Sequence, residues 1–448
     1  MKVVPLREAV AVNPKLDRSG LTDDLQVSFV PMAAVGAADG CMDVSTLRTY
    51  VEVKKGYTHF RNGDVLFAKV TPCMENGKMA VARNLQNGVG FGSTEFHVLR
   101  PGDSVDAQYL YHFVSSQTFR KEAARHMTGA VGLRRVPTAF LESAEIPLPP
   151  LARQREIVAE IEKQFSRLDE AVANLQRVKA NLKRYKASVL KAAVEGRLVE
   201  TEASLARREG RTYEIGEQLL QRILEERRAK WAGRGKWKEP ESPTADAALP
   251  DGWTWASVDQ LADVGTGATP KRDKAAYWND GDVPWVTSSV VNGGYVDQAS
   301  EVVTKLALAE TNLTLYPIGT LLIAMYGEGK TRGKCTELRI PASTNQALAA
   351  LQVDLSIRGY LRHFLEFNYE EMRKFASGGV QPNLNLSLVR AVCVPLPPLS
   401  EQCRIVAEVD RHLSIIREVE SEIALNLKRT TVLRQKILHS SFSSVKAE

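Results

Sequence analysis

Aliphatic residues return every seventh position at Ile161, Leu168, Leu175, Leu182 and Val189, and Val158, Phe165 and Val172 stand three residues ahead of the first three. Two apolar positions per seven residues make the narrow stripe of a left-handed coiled coil, so a long helix is predicted there. A second stripe runs through Val409, Ile416, Ile423 and Ile437, with Val406, Leu413 and Leu427 in the companion position; Glu420 and Thr430 interrupt it. A helix of about 40–45 residues is about 60–70 Å long. One such stripe buries nothing alone. The two are expected to pair with each other, antiparallel, because a long globular segment separates them in the chain.

The residues before each stripe repeat as well. Pro147–Glu160 reads PLPPLARQREIVAE and Pro395–Glu408 reads PLPPLSEQCRIVAE, with ten of fourteen positions identical at a constant offset of 248. The prolines lock φ and forbid a continuing helix or strand, which makes this stretch a stiff bend. The chain is therefore two copies of one plan, a globular segment, a proline corner and a long helix. The expected divisions are 1–146, 147–199, 200–249, 250–394 and 395–448. In the globular halves, Asp64–Val70 (DVLFAKV) and Thr320–Tyr326 (TLLIAMY) read as strands, and Ala107–Ala124 and Arg358–Phe375 as helices. The fold class is α+β: two similar mixed α/β domains, each with a mostly antiparallel sheet, joined by two long antiparallel helices in a pseudo-two-fold repeat. Tyr213–Trp231 is predicted as a charged helix and Ala232–Pro250 as an exposed linker carrying Arg234, Lys236 and Lys238.

Composition changes this picture little. Hydrophobic residues make up 44% and charged ones 25%, as in ordinary globular chains. A net charge of +6 and a pI near 8.9 are compatible with a polyanionic partner. Cys41, Cys73, Cys335, Cys393 and Cys403 are scattered and odd in number. This pattern argues against a disulfide framework or a structural zinc and for a reducing compartment. No run approaches the roughly 18 apolar residues of a membrane span, and a cytoplasmic location is expected.

Several motifs approach catalytic patterns and miss. Gly329-Lys330-Thr331 follows a strand, but a phosphate-binding loop needs glycine where Ala324 stands. Gly265-x-Gly267 lacks the third glycine of a dinucleotide loop. Asn13-Pro14 is followed by Lys15, not by the proline and aromatic residue of an adenine methyltransferase. Glu328-x-Lys330 has no preceding Pro-Asp partner of a nuclease, and the seven histidines show no metal-ligand spacing. No catalytic site and no metal are expected in this chain.

Four stretches then carry a resemblance: Asp251–Arg272 (DGWTWASVDQLADVGTGATPKR), the run from Trp278 to Gly294, Asn383–Leu388 (NLNLSL) and the corner with Gln402, Ile405 and Val406. The first half keeps a weaker skeleton in Gly63-Asp64-Val65-Leu66 and Ser93-Thr94-Glu95-Phe96. The whole resembles the specificity subunits of type I restriction–modification systems. The resemblance implies two target-recognition domains, each reading one part of a split, asymmetric double-stranded DNA target, and a helical spacer that sets the gap. It also implies two modification subunits that use S-adenosylmethionine and two ATP-driven restriction subunits, so that S-adenosylmethionine, ATP and Mg belong to partners. The exposed faces of the long helices and Tyr213–Trp231 are the expected partner surface.

Within that reading, polar loops at matching places supply DNA contacts. In the first half these are Lys69, Thr71, Asn76 and Lys78, with Arg134 and Arg135. In the second they are Thr269, Lys271 and Arg272; Ser288, Ser289 and Asn292; and Tyr326, Lys330, Arg332 and Lys334. Lysine and arginine neutralise phosphates, while hydroxyls and amides reach base edges. Two other readings stay open: a coiled-coil scaffold whose halves bind protein, and recognition within a type IIB-like or modification-only system.

Overall fold

The computed structural model describes residues 2–130, 132–231, 236–245, 247–299, 301–327, 331–375 and 383–447. In the first half, Val3–Pro5 pairs antiparallel with Glu145–Pro147, next to the corner. A four-stranded antiparallel sheet follows in the order Val10–Val12, Phe96–Pro101, Val65–Ala68, Met79–Val81. A second sheet runs Leu47–Thr49, Gln26–Val30, Val89–Gly92, Thr58–Arg61, with Gln26–Val30 and Val89–Gly92 parallel.

The second half repeats this pairing. Thr254–Ser257 pairs with Cys393–Leu396. Ala262–Thr266, Leu348–Val353, Leu321–Ala324 and Cys335–Leu338 stand in the order of their first-half counterparts, with Tyr295–Val296 added at the edge. Glu301–Val303, Val283–Val286 and Ser343–Thr344 make the smaller sheet, again with one parallel pair. The duplication visible at the corner thus extends through both globular halves.

The central strands are apolar at every position because both faces are covered. Val65 and Phe67 belong to a cluster with Tyr109, Leu110 and Val114, whereas Leu66 and Ala68 join Val30, Phe60 and Val98 against the second sheet. Leu321 and Ile323 divide from Leu322 and Ala324 in the same way.

The helix expected over Ala107–Ala124 is two helices, Ala107–Ser115 and Gln117–Arg125. Ser116 takes an extended conformation between them, and its hydroxyl accepts the Phe119 N–H. The helix expected over Arg358–Phe375 divides likewise, into Leu355–Phe367 and Tyr369–Phe375.

The long helices are Leu151–Val194 and Leu399–Ala447, 44 and 49 residues. The glutamine shared by both corners explains its own repetition. Gln154 Nε2 donates to the Pro149 carbonyl and Gln402 Nε2 to the Pro397 carbonyl, each at 2.8 Å. Tyrosine hydroxyls from Tyr109 and Tyr360 close the same bends on the Pro147 and Pro395 carbonyls. A proline bend leaves its carbonyls without helical partners, and buried side chains satisfy them.

The chain forms two compact units, 1–178 with 422–448, and 179–421. In the first, the start of one long helix lies against the end of the other: Ile157, Val158 and Ile161 cluster with Leu438, Phe442 and Val445, and Arg434 pairs with Asp169 at 2.7 Å. In the second, Val189, Leu190 and Ala193 meet Ile405 and Val409, and the Tyr185 hydroxyl lies 2.9 Å from His412 Nδ1. The pairing is antiparallel in each unit.

The heptad reading fails at the far end of the second helix. Ile437 is only half-buried, whereas Leu438, Phe442 and Val445 are buried. There the helix packs edge-on to the rings of Tyr109 and Phe113, and a globular core accepts a wider stripe than a partner helix does.

Residues 200–249 hold the expected charged helix as Gly216–Ala229 and no regular element among the described residues of 236–249, but the segment is packed rather than free. Helices Glu202–Glu209 and Gly216–Ala229 pack on the second unit, with Leu219 and Ile223 in its core. The Arg227 guanidinium donates to the carbonyls of Asp259, Gln260 and Ala262. The supposed linker is tied down where it is described: Glu241 accepts from the Ser257 hydroxyl, and Ala247 from the Trp255 indole. Lys236 and Lys238 are exposed, and Arg234 lies outside the described residues. No helix among the described residues is long and apolar enough to cross a membrane.

Candidate nucleic-acid interface

Strand register decides which loops share an end of each sheet. Ala68 pairs with Phe96, Phe67 with Met79 and Val12 with Leu99. Asn13, the loop from Lys69 to Lys78 and Glu95 therefore emerge together. In the second half Ala324 pairs with Leu348, Ile323 with Cys335 and Thr266 with Ala349. The segments after Thr266 and Ala324, and those before Cys335 and Leu348, share the equivalent end.

The sequence-predicted residues collect at these ends. In the first half, Asn76 is exposed, and Thr71 is half-buried with its hydroxyl toward the Met127 sulfur at 3.7 Å. Lys69 is half-buried, and its backbone N–H donates to the Glu95 carbonyl. Arg135 makes a two-point pair with Glu95 and holds that carboxyl below the usual range. Arg134 faces Glu75 at 3.7 Å. Lys78 turns inward, its ammonium donating to the carbonyls of Met32 and Val35 at 3.0 Å each. That hold fixes the 31–36 loop and takes two of the lysine's three donors.

In the second half, the Thr269 hydroxyl donates to Gln346 Oε1 at 2.7 Å. Gly267 makes that approach possible, because a Cβ there would lie 1.6 Å from the Thr344 carbonyl oxygen. Lys271 is exposed. Arg272 stacks 3.9 Å from the Trp278 ring centroid and pairs with Glu301, which raises the guanidinium's pKa. Ser288–Asn292 forms a 3-10 turn, in which Ser289 hydrogen-bonds Thr287 and Asn292 Oδ1 accepts from Lys334 Nζ at 2.8 Å. Tyr326 is exposed and Arg332 half-buried; Lys330 lies outside the described residues.

This surface offers hydroxyls, amides and cations on a rigid sheet end. Among the described residues no group of three or more His, Cys, Asp or Glu side chains could hold a metal. Gly265 is a strand residue opposite Ala350, and Ala324 is fully buried in its strand, so neither belongs to a phosphate-wrapping loop.

The family model for the type I restriction modification DNA specificity domain matches residues 2–184 and 250–429. The chain belongs to this family. Both matched segments hold one globular half and most or part of one long helix, as the internal repeat requires. Among specificity subunits, the type I restriction enzyme EcoAI subunit of Escherichia coli is 32% identical over 57% of this chain and 50% of its own length. The EcoEI subunit of the same species is 26% identical over 94% of this chain and 79% of its own. The chain thus spans half the length of the first relative and about four fifths of the second. Among solved structures, one reported for complex assembly and conformational transition of the type I R-M system aligns with a TM-score of 0.67 at 22% identity, covering 98% of this chain and 97% of that one. The HsdS subunit from Thermoanaerobacter tengcongensis aligns with a TM-score of 0.59 at 20% identity over 98% and 96%. These likenesses establish the shared fold.

The family's role is DNA target recognition, and three further polar residues stand at the sheet ends beside the predicted ones. Gln346 closes the Ser-Thr-Asn-Gln run between two apolar strands, in the place where the first half has Ser93-Thr94-Glu95. A polar tetrad between central strands is the signal that would have found it. Asn13, weighed only as a methyltransferase motif, adopts φ 49° and binds the Val98 N–H and the His97 ring. Glu95 is the third: the sequence marks it as part of the first-half skeleton, and the structure adds its pairing with Arg135.

Proposed function

We propose that each globular half reads one part of a bipartite, asymmetric DNA sequence through the loops at its sheet end, and that the paired long helices set the gap between the parts. One observation carries this reading: two halves of the same topology present polar and basic loops at the equivalent end of the equivalent sheet. A pseudo-two-fold protein is the form suited to two half-sites. The chain contributes recognition and no catalysis. Two modification subunits bring S-adenosylmethionine, and two restriction subunits bring ATP and Mg. The modification partner also supplies the pocket for the flipped base, since methylation inside a duplex requires extrusion. Arg134, Arg135 and Arg272 already hold carboxylates, which suits a role in orienting the loops rather than bulk attraction.

Co-expression with the cognate modification subunit, followed by methylome sequencing, tests this directly. The expected result is methylation at a single bipartite sequence that disappears when this chain is omitted. An unchanged methylome on omission would overturn the reading.

A further inference from the structure

Strands Gln26–Val30 and Val283–Val286 are counterparts, and each holds a guanidinium at the same position. Each pairs in parallel with the strand that leads into the polar turn at the sheet end. The Val30 and Val286 carbonyls accept the first N–H of those turns, from Ser93 and Asn345. The residues just before them, Phe29 and Trp285, are buried aromatics. Arg48 lies 3.8 Å from the Phe29 ring centroid, and Arg272 lies 5.1 Å from that of Trp285 as well as against Trp278. The two arginines do not correspond in the chain. Arg48 belongs to the edge strand Leu47–Thr49, and Arg272 to the loop after Ala262–Thr266. No internal repeat in the sequence therefore marks Arg48.

What differs is the neighbour across the strand pair. Trp285 stands opposite Glu301, the carboxylate that Arg272 holds. Phe29 stands opposite Thr46, whose carbonyl accepts the Phe29 N–H at 2.8 Å. Threonine thus occupies the place of the acid. Arg134, Arg135 and Arg272 each hold a carboxylate, whereas none lies within ion-pairing distance of Arg48 among the described residues. Glu52, on the turn that follows, is taken by the Thr49 N–H and hydroxyl at 2.7 and 2.6 Å. Tyr57 stands edge-on to the same Phe29 ring and accepts one Arg48 N–H at 3.4 Å. The other donors of the fork have no acceptor among the described residues, and Arg48 is only half-buried. Stacking fixes the guanidinium plane and leaves its edge to meet an anion, a geometry that suits phosphate. The location agrees. Arg48 stands two residues along the edge strand from Thr46, about 7 Å from the sheet end where Ser93–Glu95 emerges.

We propose that Arg48 contacts a phosphate of the DNA read by the first half and is that half's counterpart of Arg272. Its charge is uncompensated where that of Arg272 is balanced by Glu301, so the two halves hold the DNA backbone unequally at this position. The inference rests on the function proposed above and adds to it a residue that carries affinity without sequence information.

The test uses the full chain with its modification subunit. Anisotropy measures binding to a duplex carrying the methylated motif and to one with that motif scrambled, at several salt concentrations. Arg48→Ala is expected to weaken both by a similar factor and to lower the magnitude of the salt slope by about 1, with the methylated motif unchanged. Thr46→Glu keeps the stacked guanidinium and recreates the pairing of the second half. It is expected to lower the slope to a similar extent, and to change little further in the Arg48→Ala background; circular dichroism checks that each variant is folded. A parental slope in either single variant, an equal further loss in that background, or an altered first half of the motif overturns the phosphate contact alone. An unsubstituted complex that does not distinguish the motif from the scrambled duplex overturns the function reading together with it.

Discussion

His112 is 3% exposed, and burial pushes its imidazole down to about 4. Arg83 donates to Gln108 Oε1, which leaves the Gln108 amide nitrogen facing His112 Nε2 at 3.4 Å. The ring is held neutral in the folded chain. The unfolded chain therefore binds the extra proton between about pH 6.5 and 4, and stability is full above that window and falls as pH drops through it. The loss is on the order of 3 kcal/mol across the window. Urea unfolding at pH 7.5 and 5.0 should show it, and His112→Phe should flatten the difference; an equal slope in both proteins would refute the assignment. At the interface, Lys271→Ala with Lys334→Ala should weaken DNA binding across sequences and lower the magnitude of the salt slope by about 2, measured by anisotropy at several salt concentrations. An unchanged slope would remove both residues from the phosphate contacts. Residue types were legible in the sequence, but their direction was not. Lys78 reads as a phosphate contact and instead holds two carbonyls, because a flexible lysine turns toward whichever acceptors the fold leaves bare.

At the level of elements, periodicity was a good guide where one neighbour decides burial. Along the stripes Ile416 and Ile423 are buried and Leu168, Val172, Leu175 and Leu182 half-buried, while Val158, Ile161, Val189 and Val409 are buried within the globular cores as well. It failed where a helix meets a globular core, at Leu438, Phe442 and Val445, and where a side chain caps internally, at Ser116. Helix length also yields a prediction. Deleting Val172–Val178 and Val419–Leu425 together removes about 10 Å of spacer, near three base-pair steps. The methylated motif should keep both half-sequences and shorten its gap, as read by methylome sequencing. A change in either half-sequence would contradict a pure spacer role.

Across the whole molecule, the internal repeat reaches further than its sequence signal. Ten matching residues mark the corners, yet strand order, register and even the tyrosine closing each bend recur over halves whose sequences differ. Backbone pairing tolerates substitution on the faces, whereas a bend stripped of helical partners needs particular donors. Loops at the sheet ends carry no such demand and have diverged. Exchanging residues 250–394 for those of a relative with another target should therefore change one half of the recognised sequence and leave the other intact. A motif altered in both halves would show that the domains do not read independently.

The sequence by itself determined the duplication, the two long helices, the α+β class and the positions of the polar loops, because periodicity and proline chemistry are local properties. Only the tertiary structure decided which loop residues meet at one sheet end, which arginines are already paired, and that the 200–249 segment packs on the second unit and covers its proline corner. These depend on register and on contacts between residues far apart in the chain, which no local pattern encodes.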